Sequence, residues 1–235
     1  MQLTFERLED RTLLAATAFV NAKGIVNIVG TEGTDTILAI GTALGRVEVR
    51  IDVDGDGVVN GGLDSFQVFN NVRGMVVKLK GGDDIFLFYD PHISGNITID
   101  AGKGNDTVGV GDLVNNTDIF GNLSIKGGDG DDIVLLECDV RGNVNVNTGN
   151  GNDNLRVGVD TFVSIDGTAK VNLGGGNDRI RIDDATVGVG AAKISGGSGI
   201  DAFTSWYEAA DIDDAIRAGL LKLSGFENFA FHQRP

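Results

Sequence analysis

Apolar residues stand two positions apart at seven places in the chain: Val26 and Ile28, Met75 and Val77, Ile97 and Ile99, Leu123 and Ile125, Val144 and Val146, Ala169 and Val171, and Ala192 and Ile194. A spacing of two is the alternation of a strand with one buried face. Seven residues after each pair comes an aspartate in the phrase Gly-x-Asp-x-apolar. These are Asp35, Asp84, Asp106, Asp132, Asp153, Asp178 and Asp201, and an eighth phrase contains Asp64. The intervals between successive aspartates are 29, 20, 22, 26, 21, 25 and 23 residues, with a mean near 24. Eleven residues before most of them stands a glycine, as at Gly24, Gly95, Gly121, Gly142, Gly167 and Gly190.

One unit therefore reads as a glycine corner, a short strand, a glycine-rich turn, a second strand and a stretch of variable length. No long helical pattern intervenes, so these are not βαβ units. The period predicts an all-β chain: a parallel β-helix or β-roll solenoid of about eight rungs with a short C-terminal capping helix. At the strand spacing the rod is roughly 40 Å long. Apolar ladders fill its inside, and the aspartates line up along one edge. A β-sandwich also has short strands and glycine turns, but it needs no such phrase at a near-constant interval.

The ends depart from the repeat. Residues 1–20 read as an export-type leader or an N-terminal cap, 21–205 as the solenoid and 206–235 as a C-terminal cap. Ile212, Ile216 and Leu220 are spaced four apart, Gly219 is a helix stop, and Phe226, Phe229 and Phe231 follow.

Composition narrows the chemistry. The net charge is -15, carried by 27 Asp against 7 Glu, and Gly numbers 36. Asp serves turns and hard cations, whereas Glu favours helices. The acidity argues against nucleic acid as a partner. The single Cys138 excludes an internal disulfide, His92 and His232 carry no metal-ligand spacing, and no apolar run approaches a membrane span.

Two resemblances add expectations. Phe5 to Ala16 resembles the LEPR-XLL-type segment of exported planctomycete-type surface proteins, with Asp10 where the pattern has Pro. That resemblance implies a secreted or cell-envelope location. Gly127-Gly128-Asp129-Gly130-Asp131-Asp132 and Gly196-Gly197-Ser198-Gly199-Ile200-Asp201 are similar to RTX-type calcium repeats. The RTX unit is nine residues, whereas here one such turn falls in each coil of about 24. The resemblance implies calcium between stacked turns.

Calcium also has a physical rationale. A carboxylate column at strand spacing sets like charges about 5 Å apart, a repulsion on the order of 1 kcal/mol per neighbour in water. Ca²⁺ reverses that sign by collecting six to eight oxygens. The alternative role for each Asp is a hydrogen bond to the amides of its own turn. A separate loop, Asp52-Val53-Asp54-Gly55-Asp56-Gly57-Val58-Val59-Asn60, has the D-x-D-x-D-G opening of a calcium loop. The expected metal ligands are Asp52, Asp54, Asp56 and Asn60, with Asp35, Asp64, Asp84, Asp106, Asp132, Asp153, Asp178 and Asp201 on the ladder.

No nucleophile elbow, Walker loop or dinucleotide fingerprint is present. Arg156, Arg179 and Arg181 lie near the acidic edge as outward strand residues, and no catalytic set is assigned. Ranks of Thr-x-Thr, as an ice-binding face needs, are missing. The expectation is a calcium-binding, secreted or cell-surface β-solenoid with a structural or adhesive role, and not an enzyme. Its expected partners are cell-envelope components, polysaccharide or copies of itself. A carbohydrate-binding or carbohydrate-cleaving β-helix is the alternative.

Overall fold

The computed structural model describes residues 16–52, 57, 59, 64–111, 118–158, 162–183, 185–187, 191–205 and 215–231. The strand β1 (Thr17–Val20) runs antiparallel to β2 (Ile25–Val29). Past the first aspartate corner, β3 (Thr36–Ala43) folds back through β4 (Arg46–Ile51) and β5 (Ser65–Asn70) as an antiparallel meander. The chain then coils. The next two coils give β6 (Gly74–Gly81) and β7 (Ile85–Tyr89), then β8 (Ile97–Lys103), β9 (Thr107–Gly111) and β10 (Asp118–Ile119). They are followed by β11 (Leu123–Asp129), β12 (Ile133–Glu137) and β13 (Asp139–Val140). After these come β14 (Val144–Asn150), β15 (Asn154–Val157) and β16 (Val163–Ile165). Last are β17 (Ala169–Gly175), β18 (Arg179–Ile182), β19 (Ala185–Val187), β20 (Ala192–Ser198), β21 (Ala202–Ser205), β22 (Leu221–Ser224) and β23 (Asn228–Phe231).

Three walls result. The first stacks β1-β2-β6-β8-β11-β14-β17-β20-β22, the second β23-β21-β18-β15-β12-β9-β7-β3-β4-β5, and the third β10-β13-β16-β19. Every neighbouring pair is parallel except β1 with β2 and the meander β3-β4-β5. The chain is a parallel β-solenoid, as its period predicts.

The apolar ladders point inward. Both members of all seven pairs are buried, from Val26 at 0% exposure to Val171 at 8%. From the second wall, Ile37, Phe86, Val108, Val134, Leu155, Ile180 and Phe203 meet them. A ladder of this kind removes apolar surface from water at every coil, at about 25 cal/mol per Å².

Two expectations need correction. Eight parallel strands stack in each of the first two walls, but the full three-walled turn occurs about five times rather than eight, counting the Ile93–Ile119 bridge as third-wall pairing. The end coils lack a third-wall strand among the described residues. The unit at Asp64 is also no rung. Asp64 precedes β5 in the meander, and Phe66, in the position of a core residue, is 59% exposed. The terminal rung instead comes from β22 and β23, so the parallel stack continues past residue 205. Of the capping helix, 215–217 is helical, while 206–214 lies outside the described residues.

Close stacking dictates the glycine corners. Gly151 has φ +132°, and a Cβ there would lie 2.1 Å from the Gly130 carbonyl oxygen one coil away. Gly151→Ala meets both a left-handed backbone and a backbone clash. It is expected to cost more than about 1 kcal/mol, lowering the melting midpoint by at least about 2–4 °C. Differential scanning calorimetry of the variant checks this.

Candidate functional site

The corner between the first and second walls carries the aspartates. The strands on either side fix its position, because Ile97, Leu123 and Val144 stay in register across the first wall and Val108, Val134 and Leu155 across the second. With both flanks pinned, the residue at the corner repeats at the same height in each coil. Its side chain turns inward. Asp35, Asp84, Asp106, Asp132, Asp153, Asp178 and Asp201 are all 3% exposed or less.

From Asp84 onward, each carboxylate accepts the amide of the preceding coil's aspartate rather than one of its own turn. The Asp84 amide donates to Asp106 Oδ1 at 2.8 Å, Asp106 to Asp132 at 2.9 Å, and Asp132 to Asp153 at 2.9 Å. Asp153 donates to Asp178 and Asp178 to Asp201, each at 2.8 Å. Asp35 donates to Asp84 at 2.7 Å, across 49 residues, so the chain bypasses Asp64. Glu227 Oε2 ends the column by accepting the Asp201 amide at 2.7 Å.

That leaves the second oxygen. Asp35 Oδ2 accepts the Thr31 amide at 2.6 Å. In Asp84, Asp106, Asp132, Asp153, Asp178 and Asp201, Oδ2 is buried without a hydrogen-bond partner. The Thr148 hydroxyl, next to Asp153, gives its proton to the Leu173 carbonyl at 2.7 Å. Buried polar atoms are nearly always satisfied, so six in a row is an unusual concentration. Burial is the main force on their acidity. It pushes Asp84 and Asp132 up to about 7 and Asp106 and Asp178 up to about 6. The amide from the preceding coil pulls each back in part, and neighbouring carboxylates push further up. Asp153 is raised for the same first reason.

No family model, curated protein or solved structure matches the chain. The column must be read from its own chemistry. A buried carboxylate with one free oxygen takes a proton or a cation. Among the described residues no three His, Cys, Asp or Glu side chains converge on one point. A cation here would draw one or two carboxylates from adjacent coils and complete its shell with backbone carbonyls. The carbonyls run along the same stack, as the approach of Gly104 O to Gly130 and Gly130 O to Gly151 shows.

The other expected ligands are elsewhere. Asp52 follows β4 and its Oδ2 accepts the Gly57 amide at 2.7 Å, while Asp54, Asp56 and Asn60 lie outside the described residues. Asp64 precedes β5 in the meander and is not a link of the amide chain, in which Asp35 donates directly to Asp84. Cys138 is buried between β12 and β13, and burial beside Glu137 and Asp139 pushes its thiol well up. His92 Nδ1 contacts the Asp90 carbonyl oxygen. Arg181 pairs with Asp183 at 2.6 Å and does not face the column.

Sequence reading missed two further columns. One position before the buried aspartates, Asp83, Asn105, Asp131, Asn152 and Asn177 accept an amide from the following coil at 2.6–2.9 Å. They are stitched in the opposite axial direction to the inner column. At the next corner Asn96, Asn122 and Asn143 do the same for Asn122, Asn143 and Thr168. The signals were present as Asx before Asp in five units and as Gly-Asn at Gly95, Gly121 and Gly142.

Carboxyls raised in the fold bind protons preferentially there. The stability they add is full below about pH 4, the unfolded value, and is lost as pH rises through 6 to 7. Without divalent cations, the melting midpoint is therefore expected to be several degrees higher at pH 5 than at pH 8. A midpoint that rises across that range would contradict the column's state. Asp132→Ala removes the acceptor of a buried amide and is expected to cost about 1–3 kcal/mol at pH 5. Asp132→Asn keeps that acceptor and is expected to flatten the pH dependence. Denaturant melts at the two pH values separate the variants.

Proposed function

We propose that the chain is an exported structural β-solenoid whose acidic column takes up calcium, so that the rod is firm where calcium is abundant. The observation that carries the reading is the row of six buried Oδ2 atoms without a hydrogen-bond partner. A positive ion in the column would relieve its buried carboxylates at neutral pH, because a charge at this depth without a partner is disfavoured. Calcium fits the donor set, which consists of oxygen alone: carboxylate oxygens from stacked coils and the carbonyls between them. The similarity of these turns to RTX repeats supports the same ion. The Asp52 loop adds a second location, supported by its D-x-D-x-D-G order and the Asp52–Gly57 turn bond. The segment from Phe5 to Ala16 supports export. All but Ala16 of that segment lies outside the described residues. No described helix is long and apolar enough to cross a membrane.

Binding to the fold but not to the unfolded chain stabilises by mass action, about 2.7 kcal/mol per site at a hundredfold excess over Kd. Calcium is expected to raise the melting midpoint at pH 8 by roughly 5–10 °C per strong site. The rise shrinks at pH 5, where protons hold the column. An unchanged midpoint at pH 8 with calcium and with excess chelator would overturn the proposal. The double variant Asp54→Asn, Asp56→Asn is expected to bind one ion fewer by titration calorimetry, with the column's pH dependence intact.

A further inference from the structure

The lysines of this acidic chain are segregated. Of eight in the sequence, Lys78, Lys80, Lys103, Lys126, Lys170, Lys193 and Lys222 all lie on β6, β8, β11, β17, β20 and β22 of the first wall. All seven are exposed. The seven strands from β6 to β22 hold only two acidic residues, Asp100 and Asp129, and no arginine, so the wall carries +5 in a chain of -15. Lys170, Lys193 and Lys222 are direct cross-strand partners. Like charges stacked at strand spacing oppose folding, and the solenoid does not require them. The outward partners in the same row are Thr98, Ser124 and Asn145, which would serve a solvated wall as well. Lys126–Asp100, at 3.9 Å, is the one ion pair on this wall among the described residues.

Lys78, Lys80, Lys103 and Lys126 border a groove of about 800 Å³ that runs along the rod axis, and Lys170, Lys193 and Lys222 stand on the adjacent outward row of the same wall. Its floor is the glycine row Gly102, Gly128, Gly149 and Gly174, held to glycine by backbone stacking: a Cβ on Gly128 would lie 1.8 Å from Gly102 O. One bank carries Lys78, Asp100, Lys126, Asn147 and Asn172 in register. The other carries Lys103, Asp129 and Asn150. The floor follows from the fold, whereas the lysines do not.

We propose that this wall binds a linear carboxylate-bearing polysaccharide lying along the rod axis. The groove crosses six strands, is open and is lined by the Asn147, Asn150 and Asn172 amides and the Ser198 hydroxyl, which match sugar hydroxyls, with ammonium groups placed for carboxylates. The rise of an extended sugar unit is close to the strand spacing, so each coil meets one unit. Single-stranded nucleic acid fits less well, because base stacking needs aromatic side chains and the outward positions from β6 to β22 hold none. The proposal stands apart from the cation reading, since none of its residues belongs to the aspartate column.

The test is titration calorimetry with galacturonate oligomers of increasing length, at one fixed calcium concentration. The wild type is expected to bind them, with affinity rising up to roughly six units, the span of seven strands, and falling with salt. The variant Lys78→Gln, Lys103→Gln, Lys126→Gln, which removes three of the four lysines bordering the groove, is expected to bind at least roughly tenfold more weakly. Lys170→Gln with Lys193→Gln and Lys222→Gln gives a second variant on the adjacent row of the wall. Both substitute exposed side chains, and circular dichroism confirms that each folds. Methyl-esterified oligomers are expected not to bind. The proposal is overturned if no acidic oligomer binds at low salt, if both folded variants bind like the wild type, or if a single-stranded oligonucleotide binds more tightly than the longest oligomer.

Discussion

The structure depends on one hydrogen bond repeated along the rod: the amide of a corner aspartate donating to the carboxylate of the aspartate one coil on. Two parallel walls fix the heights of successive corners but leave the corner amides without a ladder partner. An inward carboxylate supplies the acceptor, because a buried amide without one costs as much as a lost hydrogen bond. Asp has an acceptor on a stem short enough for this corner. Asn could accept as well, but it would bury an amino group in place of the free oxygen.

That solution creates the molecule's main opposing term. Seven carboxylates end up inside a rod whose other contents are Val, Ile, Leu and Phe. Each satisfies one amide and brings one further oxygen that six of them cannot pair. The apolar ladders outweigh this desolvation, as the buried pairs at every coil show. The imbalance makes the fold responsive to whatever neutralises the column, whether protons or the proposed calcium. The outer Asx column has no such cost, since its side chains stay in water while accepting the same kind of amide. Stitching in opposite directions by the two columns ties each corner to both its neighbours.

Much of the fold was legible because the solenoid converts period into position. Residues nine and seven before each aspartate are buried in all seven coils where the pair occurs. The phrase at Asp64 misled because Gly-x-Asp-x-apolar describes a turn entering a strand, and a meander uses the same turn. The missing apolar pair upstream was the signal that it is not a rung. The terminal rung was hidden for the converse reason, since Glu227 takes the aspartate's place there. The direction of the carboxylates could not be read at all. A residue between two strands has no alternation to place it inside or outside, and its acidity argued for the surface. The two outer columns were visible as repeats, but most of their members are asparagines with no charge to draw notice.

The state of the aspartate column can be read directly by following the side-chain carboxyl carbons of Asp84, Asp106 and Asp132 by NMR as pH is raised, without and then with calcium. In calcium-free solution they should titrate near 6 to 7, well above an exposed carboxyl, and calcium should pull those transitions down. Transitions near pH 4 in calcium-free solution would contradict the buried, uncompensated column on which the account rests.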